Sequence, residues 1–173
     1  SELGTAVKFD LHLMVDKPQD WIARWEHPAI FRMTFHQEAT YDVLRTIKLI
    51  RALNKEGGLA LKIETPVDVI YDIMEEVDIV LLLAVMPGAQ GRPFDASVME
   101  KVKELRQASA TVKIGVDGGV TPLVASSLIE AGADVLVSGS YIFSQPDIKN
   151  AIESLQNNNQ DTRNKIQTNS NIQ

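Results

Sequence analysis

Ionisable residues recur in this sequence at the points where short apolar runs end. His12 lies near the end of the first run, His36 ends the second, and Asp117 ends "VKIGVD", directly before Gly118 and Gly119. Imidazole and carboxylate groups are the side chains that most often transfer protons in enzymes. A carboxylate is costly to bury unpaired, so the Asp-Gly-Gly segment suits either an ordinary turn or a functional pocket. Because polar and ionisable groups recur at equivalent strand ends, one shared pocket is favoured.

Glycine-rich loops follow the last three apolar runs. Glycine has no Cβ, so its loops can expose backbone N–H groups to a phosphate at close range. One such loop is a weak signal, but three in succession predict a phosphorylated ligand. The glycines concerned are Gly88, Gly91, Gly118, Gly119 and Gly139.

The elements that must position these groups alternate regularly between strand and helix. Short runs rich in apolar and β-branched residues predict strands, and amphipathic segments between them predict helices. Wholly apolar strands in this order predict a parallel sheet covered by helices, or a closed barrel. About six units are present, whereas a (β/α)₈ barrel has about eight. The predicted strands are 6–15, 29–36, 59–63, 78–86, 111–116 and 134–138, and the predicted helices are 18–26, 40–58, 66–76, 95–108, 121–133 and 146–156.

Composition narrows the class of protein. A chain of 173 residues with 45% apolar residues predicts one globular domain, here assigned to residues 1–156. The polar tail 157–173 is expected to be disordered. A net charge of −6 argues against a nucleic-acid surface, and the absence of cysteine excludes disulfides and thiolate chemistry. With neither a long apolar run nor a signal peptide, we expect no membrane segment and a cytoplasmic location.

Several motifs then carry a resemblance. The segments "LHLMV", "TFHQEA", "LALKIETP", "VDGGV" and "SGSYIF" resemble the ribulose-phosphate 3-epimerase family in order and spacing, over about residues 7–155. Members of that family are (β/α)₈ barrels that interconvert ribulose 5-phosphate and xylulose 5-phosphate around a divalent metal. The resemblance implies an α/β fold of the TIM-barrel type, with about six units that correspond to strands three to eight.

The resemblance also implies roles for individual residues. Asp117 matches an aspartate that binds the metal and serves as one of two acid/base groups. His12 matches a histidine ligand of the same metal that also contacts the substrate, and Met14 matches a methionine that lines the site. The metal is left open among Zn, Fe, Mn and Co. The implied phosphate-binding residues are Gly88, Ala89, Gln90, Gly91, Gly118, Gly119, Gly139 and Ser140.

The chain also departs from the family pattern. In the family, a segment "D-x-M-D-G" on the second strand supplies the second catalytic aspartate, and a further metal-binding histidine comes from the same strand. Residues 1–9 contain no counterpart of this segment. We therefore expect two of four metal ligands and one of two acid/base groups. Whether the shortened start is natural is left open.

Two alternatives to an epimerase stay open: a non-catalytic protein that binds a sugar phosphate or mediates assembly, and another sugar-phosphate barrel enzyme. The expected partners are a small phosphorylated sugar and further copies of the chain, since unpaired strand edges favour self-association.

Overall fold

Six β-strands form one parallel sheet, and they lie side by side in the order in which they occur along the chain. The structure is a computed structural model, and it describes residues 7–86, 88 and 92–156. Each neighbouring pair is parallel, which confirms the α/β prediction. The strands are β1 (Phe9–Leu13), β2 (Ile30–His36), β3 (Glu56–Leu61), β4 (Ile79–Leu83), β5 (Lys113–Asp117) and β6 (Val135–Val137).

Helical segments connect the strands at the predicted places, although their types differ from the prediction. The segment predicted as a helix over 18–26 forms two short 3-10 helices, and the one at 66–76 is also a 3-10 helix. The α-helices are α1 (Val43–Ala52), α2 (Val98–Ala108), α3 (Pro122–Ala131) and α4 (Ser140–Phe143), residues 148–156 are also helical, and the 3-10 helices are Pro18–Asp20, Ile22–Trp25, Gln37–Ala39 and Val67–Glu76.

The prediction that the helix begun near residue 40 stops at Gly57 and Gly58 is wrong. Helix α1 ends at Ala52, and both glycines lie inside strand β3. A Cβ atom on Gly58 would overlap the Thr34 Oγ1 on the neighbouring strand and would lie 2.9 Å from the Ile79 Cγ2, closer than real Cβ atoms come to other heavy atoms. Glycine is therefore required there by the close approach of two strands, and it does not act as a helix stop.

The hydrophobic core lies between the sheet and the helices, on the outer face of the sheet. Alternate residues of each strand point into it, as the period of two requires. Burying each large side chain of this kind contributes about 1.5–3 kcal/mol. The core includes Leu13, Met33, Phe35, Leu59, Leu61, Val80, Leu82, Ile114 and Val116 from the strands, and Ile47, Ile50, Val102, Leu105 and Leu128 from the α-helices.

The inner face of the sheet carries polar groups in layers. Asp10, Arg32 and Glu56 face one another across β1, β2 and β3. Arg32 is buried and donates through Nη1 to the Asp10 Oδ2 at 2.8 Å and through Nη2 to the Glu56 Oε2 at 2.7 Å. Burial raises the pKa of Asp10, although Arg32 opposes that shift. One layer nearer the carboxyl ends of the strands, His12 pairs in register with Thr34.

Strands β1 and β6 are the two ends of the sheet, and each has one neighbouring strand within the described residues. No helix among the described residues is long and apolar enough to cross a membrane. The predicted tail 157–173 and three of the predicted phosphate-binding residues, Ala89, Gln90 and Gly91, lie outside the described residues.

Candidate functional site

The two residues predicted to share a site do meet. The His12 Nδ1 lies 3.3 Å from the Asp117 Oδ2. These residues lie on β1 and β5, which are separated by three other strands. In a flat sheet, four strand spacings would hold them about 19 Å apart. The sheet must therefore curl strongly around its inner face, as the wall of a barrel does.

A second histidine extends this pair into a chain of four side chains. The Nε2 atoms of His12 and His36 lie 2.9 Å apart, and the His36 Nδ1 lies 3.3 Å from the Glu38 Oε2. The two imidazole rings are 23° from parallel and their centroids are 5.0 Å apart, so the rings meet edge to edge through their Nε2 atoms. Asp117, His12, His36 and Glu38 thus form one continuous hydrogen-bonded chain across the carboxyl ends of the strands.

Glu38 anchors the outer end of this chain. Its other oxygen, Oε1, accepts a hydrogen bond from the Lys62 backbone N–H at 3.1 Å and another from the Thr65 hydroxyl. Burial alone raises the pKa of Glu38, but hydrogen bonds from His36, Thr65 and Lys62 outweigh burial and lower that pKa to about 2. Glu38 is therefore ionised at neutral pH and can only accept hydrogen bonds.

The loops after the last three strands contact one another beside Asp117. Gly118 and Gly119 have φ angles of 107° and 64°, in the left-handed region that favours glycine. A Cβ atom on Gly119 would lie 2.9 Å from the Phe94 Cα in the loop after β4. The Ser138 hydroxyl, after β6, donates to the Val120 carbonyl at 2.7 Å. Backbone from the three loops is therefore gathered at one end of the sheet.

The remaining predicted residues lie at the same end of the strands. Gly139 and Ser140 follow β6, and a Cβ atom added to Gly139 would meet no atom of the described residues within 4 Å. Gly88 is exposed in the loop after β4. Met14 is 55% exposed after β1 and lines a cavity of about 300 Å³, together with His36, Glu38 and Lys62 among others.

Comparison with known proteins agrees with this geometry. A family model described as the ribulose-phosphate 3-epimerase family matches residues 2–143. The ribulose-phosphate 3-epimerase of Bacillus subtilis is 36% identical over 156 residues, which cover 87% of this chain and 72% of that protein. The chain belongs to the ribulose-phosphate 3-epimerase family.

The chain spans only part of its relatives in this family. It is 35% identical to the ribulose-phosphate 3-epimerase of Eremothecium gossypii over 88% of its own length, which is 64% of that protein. Among solved structures, a 3-hexulose-6-phosphate synthase from Salmonella typhimurium matches 88% of this chain and 74% of its own, with a TM-score of 0.65 and 14% identity. At that identity the likeness shows the fold alone.

The resemblance to this family implies a divalent metal, and the His12 and Asp117 side chains fit two positions around one ion. Ligand atoms about 2.1 Å from a shared ion lie about 3.0–3.4 Å apart, and the His12 Nδ1 and Asp117 Oδ2 are 3.3 Å apart. No group of three or more potential ligands that could hold a metal occurs among the described residues. The pair therefore fits as part of a ligand set.

His36 was expected in the shared pocket as an ionisable group at a strand end, but neither His36 nor Glu38 was assigned a role from the sequence. The alternation in "TFHQEA" puts Thr34 and His36 on the same face of β2 as His12 on β1. By contrast, the carboxylate of Asp10, two residues before His12, accepts a hydrogen bond from Arg32. This pair lies one layer farther from the carboxyl ends of the strands. Asp10 is not part of the site.

Proposed function

We propose that the chain provides the phosphate-binding loops and one acid/base group of a pentose-phosphate 3-epimerase site. In this proposal its six strands correspond to strands three to eight of an eight-stranded barrel. The observation that carries the proposal is the contact between His12 and Asp117 at 3.3 Å. That contact lies at the carboxyl ends of parallel strands, where barrel enzymes have their active sites, and it adjoins Gly118.

The reaction requires removal of the proton at C3, next to the C2 carbonyl of ribulose 5-phosphate. Asp117 is the group that would take that proton, because it is ionisable, partly exposed and directly beside the glycine loop. Inversion at C3 needs one acid/base group on each face of the sugar, and Asp117 serves one of them. A divalent cation held in part by His12 and Asp117 would stabilise the negative charge that develops on the substrate oxygens.

The glycine loops would hold the phosphate. Gly118, Gly119, Gly139 and Ser140 bring backbone N–H groups to the same end of the sheet as Asp117. Such loops bind phosphate through several N–H donors at once. Met14 would line the sugar-binding cavity with a thioether, which neither donates nor accepts the proton that moves.

Solvent exchange at C3 tests the role of Asp117. Ribulose 5-phosphate and xylulose 5-phosphate are each incubated with the protein and added divalent metal in deuterated water, and deuterium at C3 is followed by NMR. A single acid/base group predicts exchange in one epimer, and Asp117→Asn should abolish it. Equal exchange with wild type and Asp117→Asn contradicts the proposed role.

The main alternative is a sugar-phosphate-binding protein without catalysis. The described residues contain one of the two expected acid/base groups, which is the observation that favours this alternative. Absence of deuterium exchange together with measurable binding of ribulose 5-phosphate would select it. Assembly into a homo-oligomer and a cytoplasmic location stay predictions from the sequence.

A further inference from the structure

The register of the strands shows which part of β3 lies level with the candidate site. Starting from His12, the in-register partners on the following strands are Thr34, Gly58, Ile79 and Lys113. The His12 side chain nevertheless contacts Asp117, which lies four residues farther along β5 than Lys113. The strands are therefore tilted, as in the wall of a barrel. At each step from strand to strand, the residue level with the contact moves about one position toward the carboxyl end.

Lys62 lies one layer above that level, directly after β3. Two strand steps from β1, the residue level with the contact is Ala60, two positions beyond Gly58. Leu59 and Leu61 belong to the hydrophobic core on the outer face of the sheet. Because side chains alternate along a strand, Ala60 and Lys62 face the interior. Two residues of a strand span about 7 Å, which the flexible four-carbon stem of a lysine can cover.

The backbone of Lys62 is held by side chains from two other elements. Its N–H donates to the Glu38 Oε1 at 3.1 Å, and its carbonyl accepts a hydrogen bond from the Lys101 Nζ on α2 at 2.7 Å. Both hydrogen bonds involve a charged group, which makes them the stronger kind. The Lys62 side chain therefore starts from a fixed point at the edge of the cavity of about 300 Å³, which Met14 and His36 also line.

The ammonium group of Lys62 is available to a ligand. Within residues 7–86, 88 and 92–156, no hydrogen bond or ion pair involves its Nζ. The Glu38 carboxylate lines the same cavity, but both of its oxygens already accept hydrogen bonds from other groups. The inner-face residues of β3 just before Lys62 are Gly58 and Ala60, so this strand places no bulky side chain below the ammonium. A lysine ammonium has three N–H donors to offer.

We propose that Lys62 is a specificity-determining residue that binds the C1 hydroxyl of the sugar phosphate. The inference rests on the proposed function, in which the phosphate lies in the glycine loops after β5 and β6 and C3 lies beside Asp117. The sugar chain then extends away from those loops toward the carboxyl ends of β1, β2 and β3. Its last carbon in that direction is C1. The Lys62 ammonium would donate a hydrogen bond to the oxygen on that carbon.

Sugar phosphates with and without this hydroxyl test the assignment. Calorimetric titration of the full chain compares xylulose 5-phosphate with 1-deoxyxylulose 5-phosphate, which lacks only the oxygen at C1. A hydrogen bond from a charged donor predicts that the wild-type chain binds the deoxy sugar about 10- to 100-fold more weakly. Lys62→Met keeps most of the stem but removes the donor, so this variant should bind the two sugars with equal affinity.

The ratio of the two affinities separates the C1 contact from general electrostatics, because a weaker attraction for phosphate affects both sugars alike. Lys48→Met removes the same charge from an exposed position on α1 and should keep the wild-type ratio. If Lys62→Met does not fold, Lys62→Ala provides the same comparison.

Equal affinities in the wild-type chain, or an undiminished preference in a folded Lys62 variant, overturn the inference and leave the proposed function intact. Failure of the wild-type chain to bind xylulose 5-phosphate contradicts both.

Discussion

Replacing Glu38 with glutamine should lower the stability of the fold in a pH-dependent way. Glutamine keeps the size of the side chain and can still accept hydrogen bonds from Lys62 and Thr65. It removes the negative charge that His36 and these donors stabilise. The variant thus isolates the contribution of the charge, with little change in packing.

The magnitude follows from the pKa of Glu38. Its ordinary value is 4.5 and hydrogen bonds lower it to about 2, a difference of 4.5 − 2, or about 2.5. At about 1.36 kcal/mol for each unit, the difference corresponds to an upper limit of about 3.4 kcal/mol. The side chain is 23% exposed, so solvent screening lowers our expectation to about 2 kcal/mol.

The sign of the pH dependence is fixed by the direction of the shift. A carboxylate whose pKa is lowered in the folded state stabilises the fold fully above its ordinary value of 4.5, and that contribution is lost as pH falls toward 2. Urea unfolding of wild type and Glu38→Gln should therefore differ by about 2 kcal/mol at neutral pH. The difference should shrink below a pH of about 4.5. A difference that stays constant from neutral to acidic pH would refute the reasoning. Glu64→Gln makes the same chemical change at an exposed carboxylate and serves as the matched control.

Four further results are expected. Gly119→Ala should destabilise the fold by about 1–3 kcal/mol in thermal unfolding, because alanine is strained at a φ of 64° and would meet Phe94; an unchanged melting temperature would contradict this. Arg32→Met should cost about 1–2 kcal/mol in urea unfolding, since it removes the cation that pairs with Asp10 and leaves Glu56 only the more distant Lys113. Arg51→Met at an exposed ion pair should cost less than about 1 kcal/mol. Purified protein should lose divalent metal on dialysis, because His12 and Asp117 supply two ligands and catalytic sites usually have about three; stoichiometric metal by elemental analysis would contradict this. Sedimentation should show self-association through the edges of β1 and β6, and a cooperatively melting monomer at micromolar concentration would disprove it.

The arrangement of strands was predictable from the sequence, because short and mainly apolar runs mark the strands. The runs at 29–36 and 78–86 contain β2 and β4, and the parallel order follows from the alternation with helices. The end of helix α1 was not predictable in this way. Gly57 and Gly58 look like a stop signal, and only the packing of β3 against Thr34 shows why the strand needs Gly58.

The candidate site was predictable in part for a similar physical reason. Alternation along a strand gives the face on which His12 and Asp117 lie, and the two side chains are in contact in the structure. Alternation does not give the reach of a side chain across strands. The His12–Asp117 contact depends on the curl of the sheet, and the ionised state of Glu38 depends on donors from a separate loop.

Calorimetric titration with ribulose 5-phosphate tests most directly whether the late loops form a sugar-phosphate site. Gly139→Ala is the informative variant, because its methyl group would meet no atom within 4 Å in the part of the chain that the structure describes and should leave folding unchanged. The added methyl group would occupy the space proposed for the phosphate. Loss of one charged hydrogen bond predicts binding weaker by roughly 10- to 100-fold. Wild-type affinity in a folded Gly139→Ala variant, or no binding by the wild-type chain, would contradict the account.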